Sequence, residues 1–296
     1  MAQLEHRLPQ NVEGDFFVDD TCIDCDACRQ IAPDTFRDHG DQSSVGRQPS
    51  SPEDIHRALL ALVACPTASI GTTSPGSSRL VREAARAFPI GVYENVLFCG
   101  YTAEASFGAW SYLIVRAPEA GGNVLVDSPR FAGPLVKRIE EIGGVTMMFL
   151  SHRDDIADHA KFAGHFGCPR VMHQADGAAR LGIEQVIEGE EPVRLGPDLV
   201  CIPTPGHTRG HQVLLYRNEA LFTGDHLAWS PTRDTLIAFR DACWYSWPVQ
   251  TRSMERLLEY RFEWVLPGHG RIHQAPAEEM HQHLERCVEW MKRVEP

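Results

Sequence analysis

The sequence predicts two modules, each built from α-helices and β-strands. The chain has 296 residues, enough for one large domain or two smaller ones with separate cores. Residues 71–80 are rich in Gly, Ser, Thr and Pro, and such a run is typical of a linker or a long turn. About 200 residues after this break alternate between short apolar runs and amphipathic runs, which indicates layered α/β structure.

The apolar runs after the break predict strands, and the amphipathic runs predict helices. The strands are short and end in Gly, Pro or Asp, whereas the helices end at Gly or before Pro. We place Asp154 at the N-cap of the second helix, so that Asp155 and His159 would lie one turn apart on one face. The predicted strands are 123–129, 145–152, 170–173, 199–205, 212–217, 220–225 and 264–269, and the predicted helices are 136–144, 154–167 and 276–293.

Composition and charge disfavour several classes of protein. Hydrophobic residues make up 43% of the chain and charged residues 23%, so a largely disordered chain is excluded. No apolar run approaches the ~18 residues of a membrane-spanning helix, and the first residues lack the apolar core of a secretory signal. Lys and Arg total 28 against 40 Asp and Glu, a net charge of −12 with no basic patch. We therefore expect a cytoplasmic protein without membrane contact, and nucleic-acid binding is disfavoured.

Four of the nine cysteines form a pattern. Cys22, Cys25 and Cys28 follow one another as C-x2-C-x2-C, and Cys65, followed by Pro66, comes 37 residues after the third. Three closely spaced thiolates and a distant Cys-Pro are typical of an iron–sulfur cluster. A zinc knuckle fits less well, because zinc sites usually pair two C-x2-C units. The other five cysteines are interpreted as structural thiols in a reducing compartment; they are Cys99, Cys168, Cys201, Cys243 and Cys287.

The stretches CIDCDACRQIAPDTF and ACPTASI resemble a bacterial monocluster ferredoxin over roughly residues 12–71. The resemblance implies one [4Fe–4S] cluster held by the four patterned cysteines. Residues 29–32 contain no further cysteine for a second cluster, and a cysteine rather than an aspartate at the second position favours [4Fe–4S] over [3Fe–4S]. The neighbouring acids either lower the reduction potential or simply form a solvated face; they are Asp19, Asp20, Asp24 and Asp26.

Three separate motifs in the later part of the chain place a metal-binding type of residue at a strand end beside glycine. His207 lies in PTPGHTRGH, Asp225 in FTGDHL and His269 in LPGHG. Glycine lets the backbone turn sharply and approach closely, so that a ligand side chain can point into a crevice. Histidine and aspartate brought together from distant strand ends form a plausible divalent-metal site.

These motifs are similar to those of the metallo-β-lactamase superfamily, and the similarity covers about residues 93–296, including NVLFCGYTAEASFGAWSYLIV and LVDSP. It implies an αββα sandwich with metals at one edge of its two sheets, preceded by the α+β ferredoxin-like module. The implied domains are residues 1–71, a linker over 72–92 and the sandwich over 93–296. The more specific match is to fusions of a monocluster ferredoxin with such a domain that share the phrase HRDDxADH.

The stretch SHRDDIADH over 151–159 departs from the H-x-H-x-D-H motif of the superfamily. His152 matches the first histidine, and Asp154 occupies the position of the second. The Asp-His pair of the motif falls on Ile156–Ala157 without a gap, or on Asp158–His159 if two residues are inserted. Both alignments leave a carboxylate where the superfamily has an imidazole.

The resemblance implies one or two divalent metal ions, of zinc, iron or manganese. Asp155 is the candidate catalytic carboxylate, although Asp154 and Asp155 could instead only cap a helix and stabilise its dipole. The first implied metal site consists of His152, Asp154 and His207, and the second of Asp225, His269 and His159.

The resemblance also implies a metal-dependent hydrolase, in which a metal-activated water attacks a carbonyl or ester carbon of a small-molecule substrate. The ferredoxin-like module favours a competing interpretation, because hydrolysis moves no electrons. That alternative is a non-haem iron or diiron oxidoreductase fed by the module, which leaves open a redox partner protein. A third alternative is a non-catalytic, redox-responsive binding module. The aromatic-rich residues 229–248 either cover the mouth of the site or pack in the core.

Overall fold

The computed structural model describes residues 2–74 and 76–294. They divide into two compact units. The first unit comprises the chain up to Leu113 together with Pro129–Gly144, and the second unit comprises Ile114–Ser128 together with the chain from Val145 onward. Within the described residues, no helix combines the length and the apolar character that crossing a membrane requires.

The beginning of the first unit has the α+β arrangement that the sequence predicts. Strands β1 and β4 pair antiparallel, β2 and β3 form a second antiparallel pair, and α1 and α2 pack against each other. A capping box, in which Ser51 and Asp54 bond to each other's backbone N–H groups, begins α2. The elements of the first unit are β1 (Phe16–Val18), α1 (Ala27–Ile31), β2 (Phe36–Asp38), β3 (Ser43–Val45), α2 (Pro52–Ala64), β4 (Ile70–Thr72), α3 (Ser77–Ala87), β5 (Ile90–Tyr93), β6 (Val96–Phe98), β7 (Tyr112–Ile114, at its boundary) and, later in the chain, α4 (Gly133–Glu141).

Helix α3 lies within the predicted linker over residues 72–92, and strand β5 begins there. The Ser and Gly content dominated that prediction, but Leu80 and Ala84 recur at helical spacing after Gly76. Ala84 is fully buried, and α3 packs against both α2 and α4. Residues 77–87 therefore contribute to the core of the first unit, and domain limits at 71 and 93 stay a prediction.

The second unit contains two sheets. The first is parallel, in the order β11-β10-β9-β8, and the second has the order β12-β13-β14-β15-β18-β19, antiparallel except for the parallel pair of β15 and β18. The elements are β8 (Val124–Val126), β9 (Met147–Phe149), α5 (His159–Phe166), β10 (Arg170–His173), α6 (Ala178–Leu181), β11 (Gln185–Ile187), β12 (Val193–Gly196), β13 (Leu199–Pro203), β14 (Gln212–Tyr216), β15 (Ala220–Gly224), β16 (Ala228–Ser230), β17 (Thr235–Ile237), α7 (Trp247–Leu257), β18 (Trp264–Pro267), β19 (His273–Gln274) and α8 (Ala277–Arg293).

Strands β14 and β15 are buried at every residue, so both faces of the second sheet are covered. One face packs on α7 and α8. Helix α5 connects the parallel neighbours β9 and β10, a connection that places a helix on the face of a sheet. The apolar cluster between the second sheet and its helices includes Val213, Leu215, Leu221, Val265, Met254, Leu257, Leu284 and Val288.

The predicted strands after residue 122 are confirmed, but the helix predicted over 154–167 begins only at His159. Residues 151–158 are irregular because their backbone groups bond to distant parts of the second unit. The Arg153 N–H donates to Asp176 Oδ2 at 3.0 Å, and the Asp155 carbonyl accepts from the Ser128 N–H at 3.2 Å. Asp154 therefore caps no helix, and its carboxylate is available for other contacts.

Candidate functional sites

One oxygen of Asp225 lies among three imidazoles in the second unit. The Asp225 Oδ2 atom is 3.7 Å from His152 Nε2, 3.7 Å from His207 Nε2 and 3.8 Å from His269 Nε2. Each of the four residues follows a strand: β9, β13, β15 and β18 precede His152, His207, Asp225 and His269, respectively. The strand ends predicted from the sequence therefore meet at one place.

Two further carboxylates complete this cluster, which we call the His–Asp centre. Asp154 Oδ2 lies 3.9 Å from His152 Nε2 and 3.6 Å from His207 Nε2, whereas Asp155 Oδ1 lies 4.0 Å from His269 Nε2. Two triplets have ligand atoms that all lie within 4.8 Å of one another. They are His152, Asp154 and His207, and His152, Asp155 and Asp225.

The donor atoms of this centre fit divalent cations. Five polar atoms of the centre are buried without a hydrogen-bond partner among the described residues, and such orphaned groups cost free energy unless something pairs with them. Burial lowers the pKa of His152 to about 4, so its imidazole is neutral and able to bind a metal. Burial and the neighbouring Asp225 raise the pKa of Asp155 well above its ordinary value, and a cation would offset that repulsion. The orphaned atoms are His152 Nε2, His207 Nε2, Asp154 Oδ2, Asp155 Oδ2 and Asp225 Oδ1.

The structure does not bring His159 to the His–Asp centre. Its Nδ1 lies 3.1 Å from the guanidinium of Arg170, and the ring is buried at the start of α5. Asp155, predicted as a separate catalytic carboxylate, instead lies with the candidate ligands. The irregular backbone of 151–158 explains both differences, because consecutive residues Asp154 and Asp155 can reach two sides of the centre without a helix.

The four patterned cysteines line one cavity in the first unit, together with apolar side chains such as Val18 and Ile70. The Ser43 N–H lies 3.4 Å from Cys22 Sγ, and the Ser69 N–H lies 3.3 Å from Cys65 Sγ. Burial raises the pKa of Cys25 to about 12 and that of Cys28 further, and the neighbouring thiols oppose one another's ionisation. Four thiolates can share this cavity when cations neutralise them, as the irons of a cluster do. The cysteines are Cys22, Cys25, Cys28 and Cys65.

Residues 18–72 match the family described as the 4Fe-4S single cluster domain of Ferredoxin I. Among solved structures, the chain is similar to the metallo-β-lactamase from Pontibacter korlensis, with a TM-score of 0.52 and 18% identity over 69% of this chain and 98% of that one. It is also similar to a metallo-β-lactamase from Hirschia baltica, with a TM-score of 0.51 and 15% identity over 67% and 96% of the two chains.

The chain thus combines a segment that matches a ferredoxin domain family, residues 18–72, with a metallo-β-lactamase fold. The fusion and both folds predicted from the sequence are thereby confirmed.

Several curated relatives are hydroxyacylglutathione hydrolases. The one from Mesorhizobium japonicum is 29% identical over 39% of this chain and 47% of its own length. The one from Acidiphilium cryptum is 32% identical over 36% of this chain and 45% of its own length. The chain therefore spans about half the length of the curated relatives that it matches.

The sequence motifs did not reveal how the metallo-β-lactamase fold orients His152. Asp127, at the end of β8, accepts the Ser151 N–H at 2.7 Å and the Ser151 hydroxyl at 3.0 Å. The Ser151 oxygen in turn lies 2.9 Å from His152 Nδ1. Because these bonds hold the Nδ1 side of the ring, His152 Nε2 is directed at the His–Asp centre. Metal-binding histidines are commonly oriented by a partner on the other ring nitrogen in this way. Burial raises the pKa of Asp127 to about 7.

Ser151→Ala is expected to weaken metal binding at the His–Asp centre by about 10–100-fold, because the orienting partner of His152 is lost. Metal content after equilibrium dialysis would measure the change. Ser230→Ala, which removes another buried hydroxyl of the second unit, is the matched control and should retain its metal. Equal metal affinity in wild type and Ser151→Ala would show that the Asp127–Ser151 bonds do not orient a ligand.

Asp176 is a second residue that the motifs did not reveal. Its carboxylate accepts the Arg153 N–H at 3.0 Å, the Thr208 hydroxyl at 2.6 Å and the Gly210 N–H at 2.6 Å. These donors lie on the two loops that carry His152 and His207, so one buried carboxylate fixes both loops. No signal in a single sequence connects a residue of this kind to a motif 20 or more residues away.

Gly268 lets the backbone approach two candidate ligands closely, the role that the sequence predicted for glycine at these strand ends. A Cβ atom at this position would lie 2.7 Å from Asp155 Oδ2 and 3.0 Å from Asp225 Oδ1. Both distances are shorter than van der Waals contact, so only glycine lets the chain pass this close to the carboxylates.

Arg29 offsets part of the acidic charge around the four patterned cysteines. The guanidinium of Arg29 lies 2.8 Å from Asp24 and 2.5 Å from Asp26. Asp19 is buried and accepts bonds from Thr21, whereas Asp20 is exposed. The four acids are therefore not a uniform solvated face, and two of them are paired beside the cluster site.

Gly108 approaches Cys25 closely within the first unit. It has a φ of +81°, and a Cβ there would lie 2.9 Å from Cys25 Sγ and 3.3 Å from Pro66. The same segment is attached to the end of α2, because the Thr102 hydroxyl donates to the Ala64 carbonyl at 2.7 Å. Residues 102–108 therefore lie beside Cys25 and the end of α2, and we expect them to cover this side of the cysteine cavity.

Gly108→Val is expected to displace this cover and expose the cluster, because the side chain has no space and the backbone conformation is strained. Visible absorbance of the reconstituted protein in air should decay several-fold faster than in wild type. Gly91→Ala is the control, since a Cβ at Gly91 meets nothing within 4 Å. An unchanged decay rate would contradict the proposed cover.

Proposed function

We propose that this protein is a metal-dependent hydrolase that attacks the carbonyl carbon of a small ester or thioester. The single observation that carries the proposal is Asp225 Oδ2, placed within 3.8 Å of three imidazoles. An anionic oxygen in that position is suited to lie between two metal ions. The hydroxyacylglutathione hydrolases among the relatives support the same class of reaction.

His152, Asp154 and His207 would hold one metal, Asp155 and His269 would hold another, and Asp225 could serve as a ligand to either. A bound divalent metal lowers the pKa of its water towards ~7 and supplies hydroxide at neutral pH. The chain contributes the imidazole of His152, which burial keeps neutral, and loops fixed by Asp127, Ser151 and Asp176. These features hold the ligands in place before any substrate binds.

Asp154→His is expected to increase the retention of zinc severalfold. A carboxylate is a harder, anionic ligand than imidazole, so the native centre should favour iron or manganese over zinc. It also weakens the metal as a Lewis acid, and we expect weak or absent β-lactamase activity. Competition between zinc and manganese, followed by metal analysis, measures the preference. Asp158→Asn, a neighbouring change outside the His–Asp centre, should leave it as in wild type.

For the ferredoxin domain we propose one [4Fe–4S] cluster on Cys22, Cys25, Cys28 and Cys65, in a protein of the reducing cytoplasm. A cluster held by these cysteines would support a second candidate function, in which it would supply electrons to iron held by the His–Asp centre and exchange them with a redox partner protein. The specific observation in favour is the donor set of three imidazoles and three carboxylates, a mixture that non-haem iron enzymes use.

Turnover with and without reductant separates the two functions. The full-length protein, reconstituted anaerobically and analysed for iron, acid-labile sulfide, zinc and manganese, would be assayed with a thioester. The hydrolase proposal expects turnover without reductant, which Asp225→Asn abolishes and Cys25→Ser leaves in place. Oxygen consumption that requires both reductant and Cys25, with no thioester cleavage, would favour the oxidoreductase. Neither activity in the metal-loaded protein would favour a binding module.

A further inference from the structure

A short segment of the second unit, Cys243–Ser246, is bonded along its length to the loop that carries His207. The N–H groups of Trp244 and Tyr245 both donate to the His207 carbonyl, at 2.9 and 3.0 Å. The Ser246 N–H and the Cys243 thiol donate to the Gly206 carbonyl at 3.0 and 3.3 Å. The position of this segment is therefore set by the backbone of a candidate metal ligand.

The two aromatic rings of this segment remain largely in solvent. Trp244 is 62% exposed and Tyr245 is 49% exposed. By contrast, Trp247, three residues after Trp244, is buried in the core, and its indole N–H donates to the Met291 carbonyl at 3.1 Å. Within the aromatic-rich stretch 229–248, Trp247 therefore packs in the core, whereas Trp244 lies beside the His–Asp centre. Each of the two interpretations of this stretch holds for part of it.

The exposed Trp244 ring adjoins the His–Asp centre. The centroid of the Trp244 ring lies 6.2 Å from that of His207, at an angle of 59°. Exposed aromatic surface on a rigidly held backbone is typical of a binding site, because little conformational entropy is lost when a ligand covers it. The indole and phenol rings offer flat apolar faces that suit another planar group.

We propose that Trp244 forms a subsite for an aromatic or other planar apolar group of the substrate, beside the carbonyl that the centre attacks. The proposal rests on the proposed hydrolase function for the identity of the reacting group. It adds that the substrates are acyl compounds with a planar apolar substituent rather than short aliphatic ones.

Binding without turnover tests the subsite directly. Fluorine NMR of the metal-loaded, full-length protein would compare 4-fluorophenylacetate with fluoroacetate, two carboxylates that differ in their planar group. Wild type should bind the aromatic acid more tightly, and Trp244→Ala should reduce that preference about 3- to 10-fold. Trp244→Phe should retain most of it, and Val186→Ala, at an exposed apolar residue of β11, should retain all of it.

Kinetics with acetyl and phenylacetyl thioesters of one thiol provide the second measurement. Trp244→Ala should raise KM for the phenylacetyl compound several-fold more than KM for the acetyl compound, whereas Val186→Ala should leave both KM values and the metal content unchanged. If the aromatic preference in binding is the same in wild type and Trp244→Ala, the subsite is overturned. If the preference depends on Trp244 but neither thioester is cleaved, the subsite stands and the hydrolase function falls.

Discussion

Asp225→Ala is expected to lose the metal ions of the His–Asp centre and with them all thioester hydrolysis. Asp225 Oδ2 is the atom that three imidazoles share, so its removal takes a ligand from both candidate metal positions at once. It also removes the carboxylate that would complete a ligand set with Asp154 or Asp155 for a second cation. The expected loss in metal affinity is at least about 100-fold, beyond that of a supporting residue.

Metal per chain after dialysis against a weak chelator measures this effect, with far-UV circular dichroism to show that the fold persists. Asp241→Asn, at an exposed acid, is the charge-matched control. His159→Gln tests the placement of His159 at Arg170, and its metal content should match that of wild type. Wild-type occupancy in Asp225→Ala would remove the basis of both the hydrolase and the oxidoreductase functions.

Cys65→Ser is expected to eliminate the iron–sulfur cluster and destabilise the first unit. Cys65 ends α2, and its sulfur accepts the Ser69 N–H at 3.3 Å before β4 begins. Because a cluster binds only the folded state, the free energy of its ligation is also free energy of folding. Loss of one thiolate therefore lowers stability as well as iron content.

Iron, acid-labile sulfide and the thermal midpoint of the reconstituted protein measure this prediction. Cys168→Ala, at a buried thiol of the second unit outside the cysteine pattern, is the control and should keep a full complement of iron and sulfide. Retention of sulfide by Cys65→Ser, or zinc as the only metal bound by wild type, would contradict the assignment of a [4Fe–4S] site.

Local patterns predicted most of what positions the two candidate sites. The C-x2-C-x2-C run and the glycine-flanked strand ends are short, so their chemistry is visible without knowledge of the fold. The helix expected at Asp154 was wrong because Asp176 and Ser128, far away in the chain, bond to the backbone of 151–158. The Asp127–Ser151 bonds were missed for the same reason, since 24 residues separate the partners.

The discontinuous composition of the first unit has a consequence for biosynthesis. That unit draws on the chain up to Leu113 and again on Pro129–Gly144, while the intervening Ile114–Ser128 belongs to the second unit. Domains that fold during translation usually do so one after another, beginning at the amino terminus. Here Cys65, the last of the four patterned cysteines, emerges from the ribosome about 80 residues before Gly144, the end of its own unit. Insertion of iron and sulfide into a completed cavity is therefore expected to follow synthesis of Gly144, and a nascent chain stalled earlier should expose its thiols to alkylation.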